Sequence, residues 1–282
     1  MTDDSSTKDA DDKLFEARFI LNMKRVSGLI DLVVPRSIAA EGDPLESDIS
    51  RAVVVLLHAT FEDMLRTVAR QRAGTMNAEA LADVPLSGAS RRAEKFHLGA
   101  LERHRGKTVD DLLRESVEAY WEQRAFGSCN EVENALRQMG LDTEPFKFLY
   151  PGLDSMMKRR HQIVHDADLP NATAREAKPW GFSDNLLLMY WLLHVLTFNA
   201  QLHVSIDPAD ELHRWYLARR TTAIERAREV IRDLLALAKG PADAFAAGFQ
   251  ALGPRLMEVQ ELLGPPSEEE IREIARKLGI ES

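Results

Sequence analysis

Cysteine is almost missing from this chain. The single residue, Cys129, cannot close an intrachain disulfide, and thiolate metal frameworks need several such residues. A reducing compartment, the cytoplasm, is therefore expected. A long hydrophobic run is missing as well. The longest, LLLMYWLLHVLTF at 186–198, contains His194 and falls short of the ~20 residues that span a bilayer. It reads as a buried core helix, and no membrane partner is expected. No alternating apolar and polar stretch of useful length is found, so strands are not expected, and no segment repeats at a fixed period. The chain has neither a G-x-x-x-x-G-K-[ST] loop nor a Rossmann glycine fingerprint, which argues against the usual nucleotide-dependent enzymes. No cofactor is expected. Positive charge is also short. A net charge of -9 argues against a surface coated for long nucleic acid, although it leaves room for a small basic pocket.

What is present is helical pattern. The 282 residues are 45% hydrophobic and 29% charged, enough for a sizeable core. Residues 1–12 are acidic and polar, the opposite of a secretory signal, and are expected to be disordered. Leu14, Phe15, Ile20, Leu21, Leu29, Ile30 and Val33 predict a first helix over 13–34, stopped by Pro35. DISRAVVVLLHATFEDMLRTVARQRAG, 48–74, predicts a long buried helix closed by Gly74. Shorter helices are expected at 108–124 and 129–139, the second capped by Gly140. Another should run from about 152 to about 166, and the buried helix from about 184 to 204.

Asp207-Pro208 should open a further helix ending at Gly240. Gly240-Pro241, Gly253-Pro254 and Gly264-Pro265-Pro266 should break the tail into short helices, the last begun by a capping box of Ser267 and Glu270. The expected fold is all-α: a helical bundle over 13–205 and a helical C-terminal extension over 206–282.

One stretch does not fit a plain bundle: KRRHQIVHDAD, residues 158–168. On a helical wheel Leu153, Met156, Met157, Ile163 and Val164 fall within about 60° of Arg160, so an arginine sits amid the apolar stripe. His161 and His165 lie together at the stripe's edge, Lys158 projects near His165, and Arg159 points elsewhere. A buried arginine is costly unless paired. The plain explanation is snorkelling, or a pair with a carboxylate across the bundle such as Glu62 or Asp63. The chemical one is a clamp for phosphate beside groups that move protons near neutral pH.

RRHQIVH resembles the R-x4-6-H signature of HEPN domains, with Arg160 as the arginine, His161 as the polar residue and His165 as the final histidine. LYPGLDSMMKRRHQIVHDADL resembles the second motif helix of the RiboL-PSP-HEPN-like branch. DISRAVVVLLHATFEDMLRTVARQR resembles its long N-terminal helix, and AFGSCNEVENALRQMGLD the segment between. The resemblance covers roughly 14–205.

It implies a helical bundle that dimerises so that two motifs share one cleft. It also implies a metal-independent endoribonuclease of toxin–antitoxin, abortive-infection or CRISPR defence systems. Carried over, Arg160 and His165 are the catalytic pair, contributed by both protomers. His161 and Lys158 support them or bind phosphate. The implied partners are RNA, a second copy, and an antitoxin or defence-system protein.

Two rivals stand beside this. His161 and His165 have i, i+4 zinc spacing, but HQIVH has Gln162 where H-E-x-x-H has its glutamate, and a third ligand is not evident. The other rival is a HEPN-like interaction or nucleotide-binding module without catalysis. His58, His194, His203 and Cys129 are read as packing residues. Arg214, Arg219, Arg220, Arg226 and Arg228 are read as a solvated helix face.

Overall fold

The computed structural model describes residues 17–33, 43–87, 98–169, 177, 179–237, 251–255, 257–259 and 261–262. Among them every regular element is helical and no strand occurs. The α-helices are α1 (17–33), α2 (Pro44–Arg72), α3 (Ala78–Leu81), α4 (Val109–Glu122), α5 (Cys129–Gln138), α6 (Tyr150–His165), α7 (Phe182–Ile206) and α8 (Glu211–Leu237). Short 3-10 turns at Ala73–Thr75, Leu98–His104 and Glu144–Leu149 punctuate them. None is long and apolar enough to cross a membrane. Residues 1–12, the breaks at Gly240-Pro241 and Gly264-Pro265-Pro266, and the Ser267/Glu270 box lie outside the described residues.

α1 falls within the helix expected over 13–34. Its buried positions are Phe19, Met23, Val26, Ile30 and Val33, spaced by four and three, which is one stripe of a helix. Ile20 and Leu21 face solvent, 42% and 60% exposed. Both are apolar yet lie off the buried stripe of the helix.

The chain forms two compact units, Met1–Lys24 with His58–Glu144, and Arg25–Leu57 with Pro145–Ser282. In the first, Phe61, Leu65, Val117, Trp121, Phe126, Val132 and Leu136 are buried to 1% exposure or less. Trp121 stacks on Phe126, centroids 5.9 Å apart. His58 is a core residue as expected, its Nε2 2.9 Å from the Phe126 carbonyl. Thr108 and Asp111 cap α4 reciprocally, and Ser128 caps α5. α5 ends where Gly140 takes φ +74°, a conformation that costs glycine little. The Leu141 N–H then reaches back to the Leu136 carbonyl at 2.9 Å.

The second unit holds the motif helix. α7 is the buried helix foreseen: Trp191, Leu192, Leu193, His194 and Val195 in succession are buried, which suits an element apolar on every side. α8 buries Ala223, Ile224, Ala227 and Val230 within the same unit. Its start differs from expectation. Asp207 and Pro208 form the turn, and Asp210 caps the helix by accepting the His213 N–H at 3.0 Å. Proline suited a first turn, but an aspartate three residues before an amide that needs an acceptor suits the cap better.

Arg220 and Arg228 are not a solvated face either. Arg220 donates to the Leu196 carbonyl at 2.7 Å, and Arg228 donates to Tyr190 Oη and the Phe148 carbonyl. Arg214 and Arg226 do stay at the surface, paired with Glu211 and with Glu229 and Glu258. Residues 251–255 are helical, so Gly253-Pro254 lies inside a helical stretch rather than at a break.

Candidate functional site

Two contacts lock the first half of α6 to α7. The Trp191 Nε1–H donates to Ser155 Oγ at 2.7 Å. Gly152 packs on His194 so closely that a Cβ there would stand 2.3 Å from the imidazole Cδ2, which only glycine avoids. His194 is fully buried, with Nδ1 2.8 Å from the Tyr190 carbonyl. Burial pushes its pKa down to about 4, so it is a neutral packing group at physiological pH.

Leu153, Met156 and Met157 continue this buried face at 1% exposure or less. One turn on, the same stripe leaves the core. Arg160 and Ile163 are half-buried, and Val164 is 47% exposed. The arginine found amid an apolar stripe thus stands where that stripe emerges. Its Nε is buried without a hydrogen-bond partner among the described residues. His161 and His165 are exposed beside it, one turn apart, with ring centroids 4.5 Å from each other.

The three consecutive cations have different fates. Exposed Lys158 places Nζ 2.6 Å from Asp154 Oδ2. Arg159 turns the other way, grips Asp168 at 2.5 and 2.9 Å, and lies 4.8 Å over the Trp180 ring. Arg160 has no carboxylate partner among the described residues. A guanidinium so placed can donate to an anion arriving from solvent. Glu62 and Asp63 belong to the first unit. There Glu62 accepts from the Phe126 N–H at 3.1 Å and from Arg66 at 3.3 Å, and Asp63 pairs with Arg18 at 2.8 Å.

Sequence reading missed the group that ends the motif helix. Asp168 is buried, and its carboxylate accepts from Arg51 Nε at 2.7 Å, from both Nη atoms of Arg159 and from the Trp180 Nε1–H at 3.2 Å. Neither Ala167 nor Asp168 is glycine, yet they take φ +50° and +57°, a pair of left-handed residues costing ~1 kcal/mol or more each. The Asp168 N–H meets the Gln162 carbonyl at 3.1 Å. The strained turn thereby aims one carboxylate at two arginines and an indole. It ties the end of α6 to α2 through Arg51 and to the chain just before α7 through Trp180. The one local signal was D-A-D directly after the motif, where a helix ends without glycine.

No protein-family model, no curated protein and no solved structure matches the chain.

Proposed function

We propose that this chain is a metal-independent endoribonuclease, with Arg160 and His165 as its catalytic pair and a homodimer bringing two such pairs into one cleft. The observation that carries the reading is Arg160 itself. It is a half-buried cation with an unsatisfied Nε and no carboxylate partner among the described residues, and two solvent-facing imidazoles stand alongside. An unfilled buried donor costs about 1–3 kcal/mol in the free protein, a cost that a bound phosphate oxygen or a facing subunit would relieve. The emerging Ile163 and Val164 give a second copy an apolar edge to cover.

The chemistry follows from the groups. A neutral His165 takes the proton of an RNA 2′-hydroxyl, and O2′ attacks the adjacent phosphorus as the P–O5′ bond breaks. The leaving 5′-oxygen receives a proton from the protonated His165 of the second protomer. Arg160 donates to the phosphate oxygens as their charge grows. His161 orients the pair or binds phosphate, and Lys158 adds to the local field. The products are a 2′,3′-cyclic phosphate and a 5′-hydroxyl, and DNA, lacking the 2′-hydroxyl, resists. A toxin or phage-defence role, with an antitoxin or other partner, belongs to the same proposal.

End-labelled total RNA and tRNA in EDTA test it. Wild type should cleave and leave cyclic phosphate ends. Arg160→Ala and His165→Ala should each be at least about a hundredfold slower while folding and dimerising as wild type. Equal cleavage by all three would move the chemistry away from α6. Silence from a folded wild-type dimer on every RNA would turn the reading to a non-catalytic interaction or nucleotide-binding module.

A further inference from the structure

His203 was read as a packing residue, yet it is only half-buried, near the end of α7, and faces the start of α8. Asp210 and His213 stand across the turn. The His213 Nδ1–H donates to Asp210 Oδ2 at 2.6 Å, and its ring stacks on that of His203 with centroids 3.7 Å apart and planes 9° from parallel. One nitrogen or oxygen from each of the three side chains lies within 4.8 Å of the other two. We propose that this turn is a binding site for a divalent transition-metal cation of the zinc class, held by His203, Asp210 and His213.

The donor types choose the ion. Two imidazoles and one carboxylate suit zinc, cobalt, nickel or copper, whereas calcium and magnesium prefer a shell of oxygens. Three protein donors leave a position for water, so the set resembles an open site more than a sealed structural one.

The fold supplies pre-organisation. All three donors flank a short turn between two packed helices, and the turn is pinned by the Asp207 carboxylate accepting the Ala209 N–H at 2.9 Å. Little chain therefore has to be ordered when an ion arrives. An ion would arrive from the His213 and Asp210 side, where the side chains keep 14% and 25% of their surface in solvent, while His203 Nε2 is buried.

The stack tells what binding must move. Parallel rings face to face are a poor aromatic geometry, and their in-plane lone pairs cannot meet at one ion. Turning one imidazole about its Cβ–Cγ bond, a soft torsion, aims both nitrogens at a common point. Asp210 then releases the His213 Nδ1–H and ligates directly, which completes the set of three donors. The competing account is purely structural: Asp210 caps α8, and the histidines pack. It makes no claim on metal, so the two accounts separate cleanly. The site shares no residue with Arg160 and His165, so the ribonuclease proposed above, tested in EDTA, does not rest on it.

The test is zinc titration, by calorimetry and chelator competition, of the untagged full chain stripped of metal. Wild type should bind one zinc per chain and melt at a higher temperature with zinc present. His203→Gln and His213→Gln should each weaken binding about tenfold or more. Asp210→Asn keeps the oxygen that caps α8 and removes the charge, so it should weaken binding without loss of helix content. A His161→Gln/His165→Gln double variant should bind as wild type. Cobalt binding to the unmutated chain gives an arm that needs no variant, with visible bands of a nitrogen and oxygen four-coordinate ion expected. No zinc binding by wild type would overturn the proposal. So would affinity unchanged by both single histidine variants, or affinity lost only with His161 and His165.

Discussion

At the start of α6, Gly152 touches His194 where no side chain larger than hydrogen fits. At its end, His161 and His165 stand in solvent beside an arginine with an unfilled donor. The two histidine environments are opposites. His194 is sealed, hydrogen-bonded to a backbone carbonyl and pushed to a pKa of about 4. The motif pair has no such cover. One helix therefore carries packing in its first turns and solvent-facing polar groups in its last, and the switch occurs between Met157 and Arg160. The difference shows how a helix can be held at both ends: one end is fixed by a close helix crossing and the other by the Asp168 carboxylate, while Arg160 takes no carboxylate partner among the described residues.

The hardest way to break this contrast is to remove the anchor at the open end. Asp168→Ala leaves Arg51 and Arg159 without their buried acceptor, and the expected loss is about 3–5 kcal/mol in urea unfolding. A loss well under 1 kcal/mol would mean that the carboxylate does not hold α6.

Next in size is the acid response of the closed end. The folded pKa of His194 lies below its ordinary 6.5, so between pH 6.5 and about 4 the unfolded chain binds the extra proton. Stability from this group is complete above 6.5 and drains away as pH falls toward 4. The sum is about 3 kcal/mol. Unfolding curves of wild type and His194→Leu across that range should differ in slope, and parallel curves would sink the assignment. The smallest effect sharpens the open end. Ala167→Gly relieves a left-handed alanine and should raise stability by about 1 kcal/mol, read as a higher thermal midpoint with helix content unchanged.

Much of the fold was readable one residue at a time. Alternation was lacking and strands are absent among the described residues; Gly140 ended α5; LLLMYWLLHVLTF became the buried α7. These features depend on neighbours within a turn or two, where spacing and glycine geometry act directly. The places that misled were those where local preference met a competitor. Ile20 and Leu21 are apolar yet exposed, because burial follows the face of α1 and not each residue's hydrophobicity. Pro208 lost the start of α8 to Asp210, whose side chain supplies the missing acceptor.

The candidate site divides the same way. Helical periodicity alone puts Arg160, His161 and His165 on one side of one helix, because 3.6 residues per turn allows nothing else. It also determined that Arg159 points away from them. Packing sets which of the three adjacent cations meets a buried carboxylate, Arg159 rather than Lys158 or Arg160. Asp168 reaches Arg51 across 117 residues of sequence, and His203 meets His213 through the turn between α7 and α8. Such encounters depend on where helices cross, and burial strengthens charge interactions there while water screens them elsewhere. Periodicity gives the direction in which a side chain leaves its helix. The partner it meets is set by the packing of the other helices.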